Sequence, residues 1–277
     1  MLHASKHLYA GGPAGRRGGG AAGRRGSVLV SRAETQSEWP GWGGGATGAL
    51  MLKIAICTPA YGDVAVEYAS SLGMLMLRTG RTAVNFNGVD VLPELDIFVG
   101  TSSLLPQLRN QLLKAAADWG ANYLLWIDGD QSFPDDALLR LLSLNLPVVG
   151  VNYPRRAAPH YPTAVGLNGE LLYTTEAAAR AGEVVPVLSM GFGCCLMDMT
   201  IFEAIHSRAL ADGKSEIGPL FAMELLGDGT RYIGEDVYFF RRARQAGVEV
   251  YVDQLLSWSI GHVGKRVFTH ADIESLD

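Results

Sequence analysis

The sequence predicts an α/β protein: a mixed, mainly parallel sheet flanked by helices. Three observations predict it. Apolar runs of strand length alternate with amphipathic segments of helix length. One run, Tyr123-Leu124-Leu125-Trp126-Ile127, passes straight into Asp128-Gly129-Asp130, as a buried central strand does when it delivers its tip to the edge of a sheet. The chain of 277 residues is 48% hydrophobic and 18% charged, which is enough for a substantial core. No stretch offers about 18 consecutive apolar residues, so no transmembrane helix is expected.

Residues 1–50 differ in kind. They form a Gly/Arg-rich leader with almost no apolar periodicity, which cannot bury a core and is expected to be disordered. Lys6, Arg16, Arg17, Arg24, Arg25 and Arg32 stand against Glu34 and Glu38, a net +4 that leaves −9 for the rest of the chain. A basic tail can touch nucleic acid or an acidic surface. The stronger reading is an upstream extension, because Met51-Leu52-Lys53-Ile54 opens a clean strand and Met51 is itself a candidate start. The leader lacks the apolar centre of a secretion signal.

From residue 51 the elements follow in order. Lys53 to Thr58 is an apolar strand ending at Pro59-Ala60-Tyr61-Gly62-Asp63. A helix from about Val64 to Arg78 is stopped by Gly80. Arg81 to Phe86 and Asp96 to Val99 are short strands. Leu105, Leu108, Leu112, Ala115 and Trp119 make a helical stripe across residues 103–119. The central strand precedes a helix from Pro134 to about Leu144, with Pro at an early helical position. Pro147 to Val151 is a second apolar strand. Residues 152–185 are looser and rich in Pro and Gly. Val187 to Met197 is one apolar run interrupted by Gly191 and Gly193. Thr200 to Ser207 is a short helix, residues 211–233 a Gly-rich loop region, Glu235 to Ala246 a helix stopped by Gly247, and Val248 to Val252 a last strand. No internal repeat and no boundary after residue 51 is visible, so residues 51–277 are expected to form one catalytic-type domain.

Cys57, Cys194 and Cys195 show no metal-ligand spacing. They read as buried thiols in a reducing, cytoplasmic setting.

Four constellations can carry chemistry. Asp-Gly-Asp alone reads as a surface turn. At the tip of a buried strand, however, Asp128 and Asp130 suit a hard divalent cation such as Mg²⁺ or Mn²⁺, which prefers oxygen ligands and shares them with substrate phosphates. Gly129 between them permits a tight turn and close approach of a ligand to the main chain. Pro59, Tyr61 and Asp63 read either as a plain strand-to-helix turn or as a nucleotide pocket, with Tyr61 stacking on a base and Asp63 accepting a hydrogen bond. Arg109, followed by Asn110, lies either on a solvated helix face or beside a diphosphate that it clamps. Glu235 and Asp236 lead a helix, where acids favour the dipole without any chemistry, or where one serves as general base. His262, flanked by Gly261 and Gly264, is a candidate third metal ligand beside the two carboxylates. The P-loop pattern, the dinucleotide Gly-x-Gly-x-x-Gly after the first strand and the nucleophile elbow are all missing.

The order of these pieces is more specific than any one of them. Strand-Pro-Ala-Tyr61, Arg109-Asn110, Trp126-Ile-Asp128-Gly-Asp130-x-x-Phe-Pro, Val-Val-Gly150-x-x-Tyr153, Gly191-Phe-Gly193-Cys-Cys, Gly234-Glu235-Asp236 and Gly261-His262 follow one another along the chain. This resembles family-2-like glycosyltransferases of the glycosyltransferase-A fold, over about Lys53 to His262. The resemblance implies a single nucleotide-diphosphosugar transferase domain in which Asp128 and Asp130 hold Mn²⁺ or Mg²⁺ on the donor diphosphate. It implies that Asp236, or failing that Glu235, deprotonates the acceptor hydroxyl, that Gly191 to Gly193 lines the acceptor side, and that His262 is a third ligand in some members. The chain stops soon after His262, so acceptor elements of longer members are expected to be missing or replaced.

The function expected is therefore metal-dependent, inverting transfer of a sugar from a nucleoside-diphosphate donor, UDP first, with Arg109 or Arg155 assisting the phosphates. Nucleotidyl or phosphoryl transfer, which also pairs carboxylates with a metal, and a non-catalytic nucleotide-sugar-binding protein are the alternatives. The acceptor is open: a saccharide, a lipid-linked sugar, a protein or, as for phage-type members of the class, a modified DNA base. The −9 balance argues against a broad grip on phosphates, while Arg155, Arg156, Arg241, Arg242, Lys265 and Arg266 read either as solvated faces or as a local basic groove.

Overall fold

The computed structural model describes residues 51–213, 218–227 and 229–274; the leader of residues 1–50 lies outside them. The first half holds β1 (Lys53–Ala60), α1 (Val66–Thr79), β2 (Val84–Phe86), β3 (Val89–Val91), β4 (Glu94–Thr101), α2 (Leu105–Trp119), β5 (Tyr123–Ile127), β6 (Gln131–Ser132), α3 (Ala137–Ser143) and β7 (Val148–Gly150). The second holds β8 (Val165–Gly166), α4 (Glu176–Ala181), β9 (Val184–Ser189), β10 (Cys194–Asp198), α5 (Thr200–Ala211), β11 (Glu224–Leu225), β12 (Tyr232–Ile233), α6 (Glu235–Gln245), β13 (Tyr251–Asp253), α7 (Gln254–Ser259), β14 (Gly261–Val263) and β15 (Val267–Phe268).

An eight-stranded sheet in the order β4-β1-β5-β10-β7-β13-β9-β8 forms the centre. β1 is parallel to β4 and β5, and β13 is parallel to β7. β10 opposes both β5 and β7, and β9 opposes both β13 and β8. Only β10 and β9 therefore run against the common direction, which is the mixed, mainly parallel sheet expected.

Strand periodicity sorts the core onto two faces. Ala55, Cys57, Leu124, Trp126, Cys195, Met197 and Val252 pack on α2, α5 and α6. Ile54, Ile56, Leu125, Ile127, Val149, Cys194 and Leu196 pack on α1, α3 and α7. A strand buried on both faces cannot alternate apolar with polar residues, which is why β5 reads as an unbroken apolar run. The three thiols are buried and free, and burial pushes each of them up. Among the described residues no helix is long and apolar enough to cross a membrane.

Several boundaries differ from expectation. β1 does not stop at Thr58; Pro59 pairs with Gly100 and is buried, so it belongs to the sheet rather than to the turn. The run from Val187 to Met197 is two strands, because the chain turns at Gly191 to Gly193 and returns between β5 and β7. Residues 152–185 contain β8 and α4, the latter capped by the Thr175 side chain at one end and by left-handed Gly182 at the other. α7 follows β13 directly, with Asp253 as its cap.

The face carrying α6 holds an aromatic cluster. Phe239 lies within 6 Å, centroid to centroid, of Phe192, Phe202, Phe221 and Phe240, and Trp126 meets Phe221 at 5.4 Å. This cluster fixes the position of α6, and so of the acids at its start. Truncating a ring so enclosed leaves a cavity the rigid surroundings cannot fill. Phe239→Ala is expected to lower unfolding free energy by about 3–5 kcal/mol, read from the shift of the urea midpoint.

Candidate active site at the tip of the central strand

Asp128 is the first residue beyond β5. Its N–H donates to the Gly193 carbonyl at 3.1 Å, and its own carbonyl accepts from Gln131 N–H, closing a turn through Gly129 and Asp130. β6 then pairs with β14, placing Gln131 opposite His262, and Val263 N–H donates to the Asp130 carbonyl at 2.7 Å. Two residues 132 positions apart, Asp130 and His262, are thus brought side by side by a short antiparallel pair.

The centre of the site is Arg109, on the inward stripe of α2 with Leu108, Leu112, Leu113 and Ala116. It is 2% exposed. Its Nη2 donates to Asp128 Oδ1 at 2.8 Å and its Nε faces Glu235 Oε1 at 3.5 Å. The guanidinium lies against the rings of Trp126, at 5.1 Å, and Phe192, at 4.8 Å, an arrangement that suits its weakly hydrated plane. Its Nη1 is buried without a partner. The solvated-face reading of Arg109 therefore needs correction: its guanidinium is enclosed and engaged by Asp128 and Glu235. Asn110 beside it accepts from Leu220 and Phe221 N–H and donates to the Phe221 carbonyl, tying the segment before β11 to α2.

The two carboxylates of the Asp-Gly-Asp motif sit in opposed environments. Burial raises Asp128 above the usual carboxylate range, and Asp130 nearby adds to this, against the pull of Arg109. Burial also works to raise Asp130, but His262 and Arg156 outweigh it and hold that carboxyl below its usual range. Arg156 Nη1 lies 3.0 Å from Asp130 Oδ2, and His262 Nε2 lies 3.5 Å from the same oxygen. His262 Nδ1 is 2.9 Å from the Pro154 carbonyl, which only accepts, so Nδ1 carries a proton. Nε2 is left facing Asp130 Oδ2 at 3.5 Å.

Asp236 opens α6 next to Glu235. Burial raises its carboxyl, Glu235 adds to that, and a hydrogen bond from Val237 N–H at 2.7 Å lowers it; the net direction is up. Tyr153 is buried, and its hydroxyl accepts from Gly193 N–H at 3.1 Å. Burial pushes its phenol well up, and Asp128 and Asp236 push it further, so both acidic motifs act on this one ring. A Cβ on Gly193 would come within 2.7 Å of Tyr153 and of Gln131, which explains a glycine there.

Tyr61 is 72% exposed in the loop after β1, and Asp63 is exposed two residues on. Pro59 is buried inside β1, opposite Gly100. Gly129 is closed off: a Cβ there would meet Val64 at 2.8 Å, and its carbonyl accepts from Ala65 N–H. Its bareness serves packing against the start of α1 rather than ligand approach. The basic groove is also divided. Arg156 pairs with Asp130, Arg266 with Asp272 and Arg241 with Glu224, while Arg242 donates to the Pro219 carbonyl.

From sequence Tyr153 entered only as one residue of the ordered motifs and Arg156 only as one of a basic group; neither was given a role of its own in the site. The signal for Tyr153 was its place three residues beyond Gly150 at the end of an apolar strand; Arg156 had none beyond its charge.

Among the described residues no group of three or more His, Cys, Asp or Glu is gathered at metal-ligand spacing. Asp130 and His262 are nevertheless a fitting pair for Mn²⁺ or Mg²⁺, since such ions take one or two carboxylates and complete their shell with substrate oxygens and water. The Pro154 carbonyl orients the imidazole in the manner of a supporting shell.

No protein-family model matches this chain, and no curated protein matches it. Among solved structures it is similar to the crystal structure of A197 from STIV, at 14% identity and TM-score 0.47, covering 77% of this chain and 86% of that one. It is also similar to GalNAc-T7 crystallised with UDP, GalNAc and Mn²⁺, at 13% identity and TM-score 0.46. That match covers 78% of this chain and 45% of the GalNAc-T7 chain, less than half its length.

Removing Arg109 would strand two partly buried carboxylates without their cation. Arg109→Ala is expected to cost about 3–5 kcal/mol of unfolding free energy, measured by urea denaturation at neutral pH.

Proposed function

We propose that the chain is a divalent-metal-dependent glycosyltransferase that moves a sugar from a nucleoside-diphosphate donor, UDP first among those to test, to an acceptor hydroxyl with inversion. The observation that carries this reading is the Arg109 bridge: one buried guanidinium joins Asp128 at 2.8 Å to Glu235 at 3.5 Å. Two acidic motifs 107 positions apart thereby face one site outside the carboxyl ends of the strands, where open α/β sheets bind ligands.

In this reading Asp130 and His262, with Asp128 beside them, hold the cation, whose chemistry is to neutralise charge developing on the leaving diphosphate. Tyr61 stacks on the nucleobase and Asp63 accepts from base or ribose. Asp236 takes the proton of the acceptor hydroxyl as its oxygen bonds to the anomeric carbon. The bond from that carbon to the diphosphate oxygen breaks, and the nucleoside diphosphate leaves with the electron pair. Asp236 suits the base role better than Glu235, because Arg109 holds Glu235 while the carboxyl of Asp236 is raised toward the working range of a general base.

With Mn²⁺ and a panel of nucleotide sugars, the protein is expected to release nucleoside diphosphate and transfer or hydrolyse the sugar without forming pyrophosphate. Asp130→Ala and Asp236→Asn are each expected to reduce that turnover by at least about a hundredfold, with the fold retained by circular dichroism. Pyrophosphate release would instead indicate nucleotidyl transfer, and unchanged turnover in either variant would refute its assigned role.

The base must be ionised to act. Since the Asp236 carboxyl is raised, turnover is expected to fall on acidification well before pH reaches 3.8, the ordinary value for an aspartate. A profile of kcat against pH reads this limb directly, and a limb at or below the ordinary value would remove Asp236 as the base.

A further inference from the structure

The carboxylate of Asp130 already has a cation on it. Arg156 Nη1 lies 3.0 Å from Oδ2 and also donates to the Val263 carbonyl at 3.2 Å. Its side chain is 49% exposed, against 30% for Asp130 and 13% for His262. The stem lies along the main chain: a Cβ on Gly264 would come within 3.2 Å of Arg156 Cδ. The guanidinium is thus held by one charged contact and one carbonyl, at the open side of the pair formed by Asp130 and His262. Arg109, by contrast, is enclosed, at 2% exposure.

The oxygen that Arg156 engages is the one His262 Nε2 faces. A divalent ion lying between Asp130 and His262 would meet the carboxylate on that same side, so ion and guanidinium contend for the charge of one carboxylate. We propose that Arg156 is a displaceable counter-cation: it neutralises Asp130 while no metal is bound, and divalent ions bind only by evicting it. This rests on the reading of Asp130 and His262 as metal ligands, and goes beyond it by giving the site a built-in competitor that sets the threshold of metal affinity.

The physical consequence is opposite in sign to that of losing a ligand. An exposed Arg–carboxylate pair contributes up to a factor of about five to an equilibrium, so removing Arg156 should tighten metal binding rather than weaken it. The probe is Mn²⁺ alone, titrated into the full chain without nucleotide, with free hexaaquo Mn²⁺ read by electron paramagnetic resonance. Arg156→Ala and Arg156→Gln are expected to bind Mn²⁺ about five-fold more tightly than the parent, and Arg156→Lys to remain within about two-fold of it. Two neutral variants guard against one that folds poorly. Asp130→Asn is expected to weaken binding severely. If both neutral variants bind Mn²⁺ no more tightly than the parent while Asp130→Asn binds less, Asp130 stands as a ligand and the counter-cation proposal is overturned. If Asp130→Asn binds as the parent does, the metal assignment itself fails, and the proposal with it.

Discussion

The structure depends on one buried cation. Arg109, enclosed by Trp126 and Phe192, stands between Asp128 at the tip of β5 and Glu235 at the start of α6. An isolated buried charge costs several kcal/mol, and the enclosed guanidinium is matched by the two carboxylates it contacts. The same contact is geometric. It fixes the strand that carries the Asp-Gly-Asp turn against the helix that carries the Glu-Asp pair. The aromatic cluster around Phe239 holds α6 from below, and Asn110, one residue on, holds the segment leading to β11.

Around that fixed point the charges are sorted. Asp128 and Asp236 are raised by burial, while Asp130 is drawn down by His262 and Arg156. Like residue types with opposed environments are how one site divides its roles: a carboxylate kept ionised suits a cation, and one raised suits proton transfer. The sorting has a stability consequence of fixed sign. Asp130, depressed in the folded state, contributes stability at neutral pH that is lost as pH falls through its folded value. Asp128 and Asp236, raised, work the other way, favouring the folded state as they take up protons on acidification.

Much of this was legible in the sequence, for stated reasons. β5 is buried on both faces, so its apolar run is unbroken and its end unmistakable. α1, α2 and α6 bury one stripe each and show it as periodicity. Asp128, Asp130, Glu235 and His262 stood out because charged or imidazole groups beside glycines at element ends are few. Other features had no local signature. The run from Val187 to Met197 conceals two strands, since its turn is marked only by Gly191 and Gly193, whose closeness to Tyr153 leaves no room for a side chain. Arg109 looked free because a sequence shows its charge and not its neighbours; its spacing from Leu112, Leu113 and Ala116 was the available clue to an inward face. Pro59 was read, with Tyr61 and Asp63, as part of a strand-to-helix turn or of a nucleotide pocket beyond a strand ending at Thr58, yet β1 runs on beside β4, and Pro59 lies within that pairing opposite Gly100.

In the proposed function Asp130 and His262 share a divalent ion at the tip of the central strand. The most direct test is a crystal of the protein soaked with Mn²⁺ and a nucleoside-diphosphate sugar, with data collected at the manganese absorption edge. The account predicts an anomalous peak in contact with Asp130 and His262 Nε2, with the diphosphate completing the shell and Arg156 moved off Asp130. An anomalous peak elsewhere, or a bound donor with Arg156 still seated on Asp130, would contradict it.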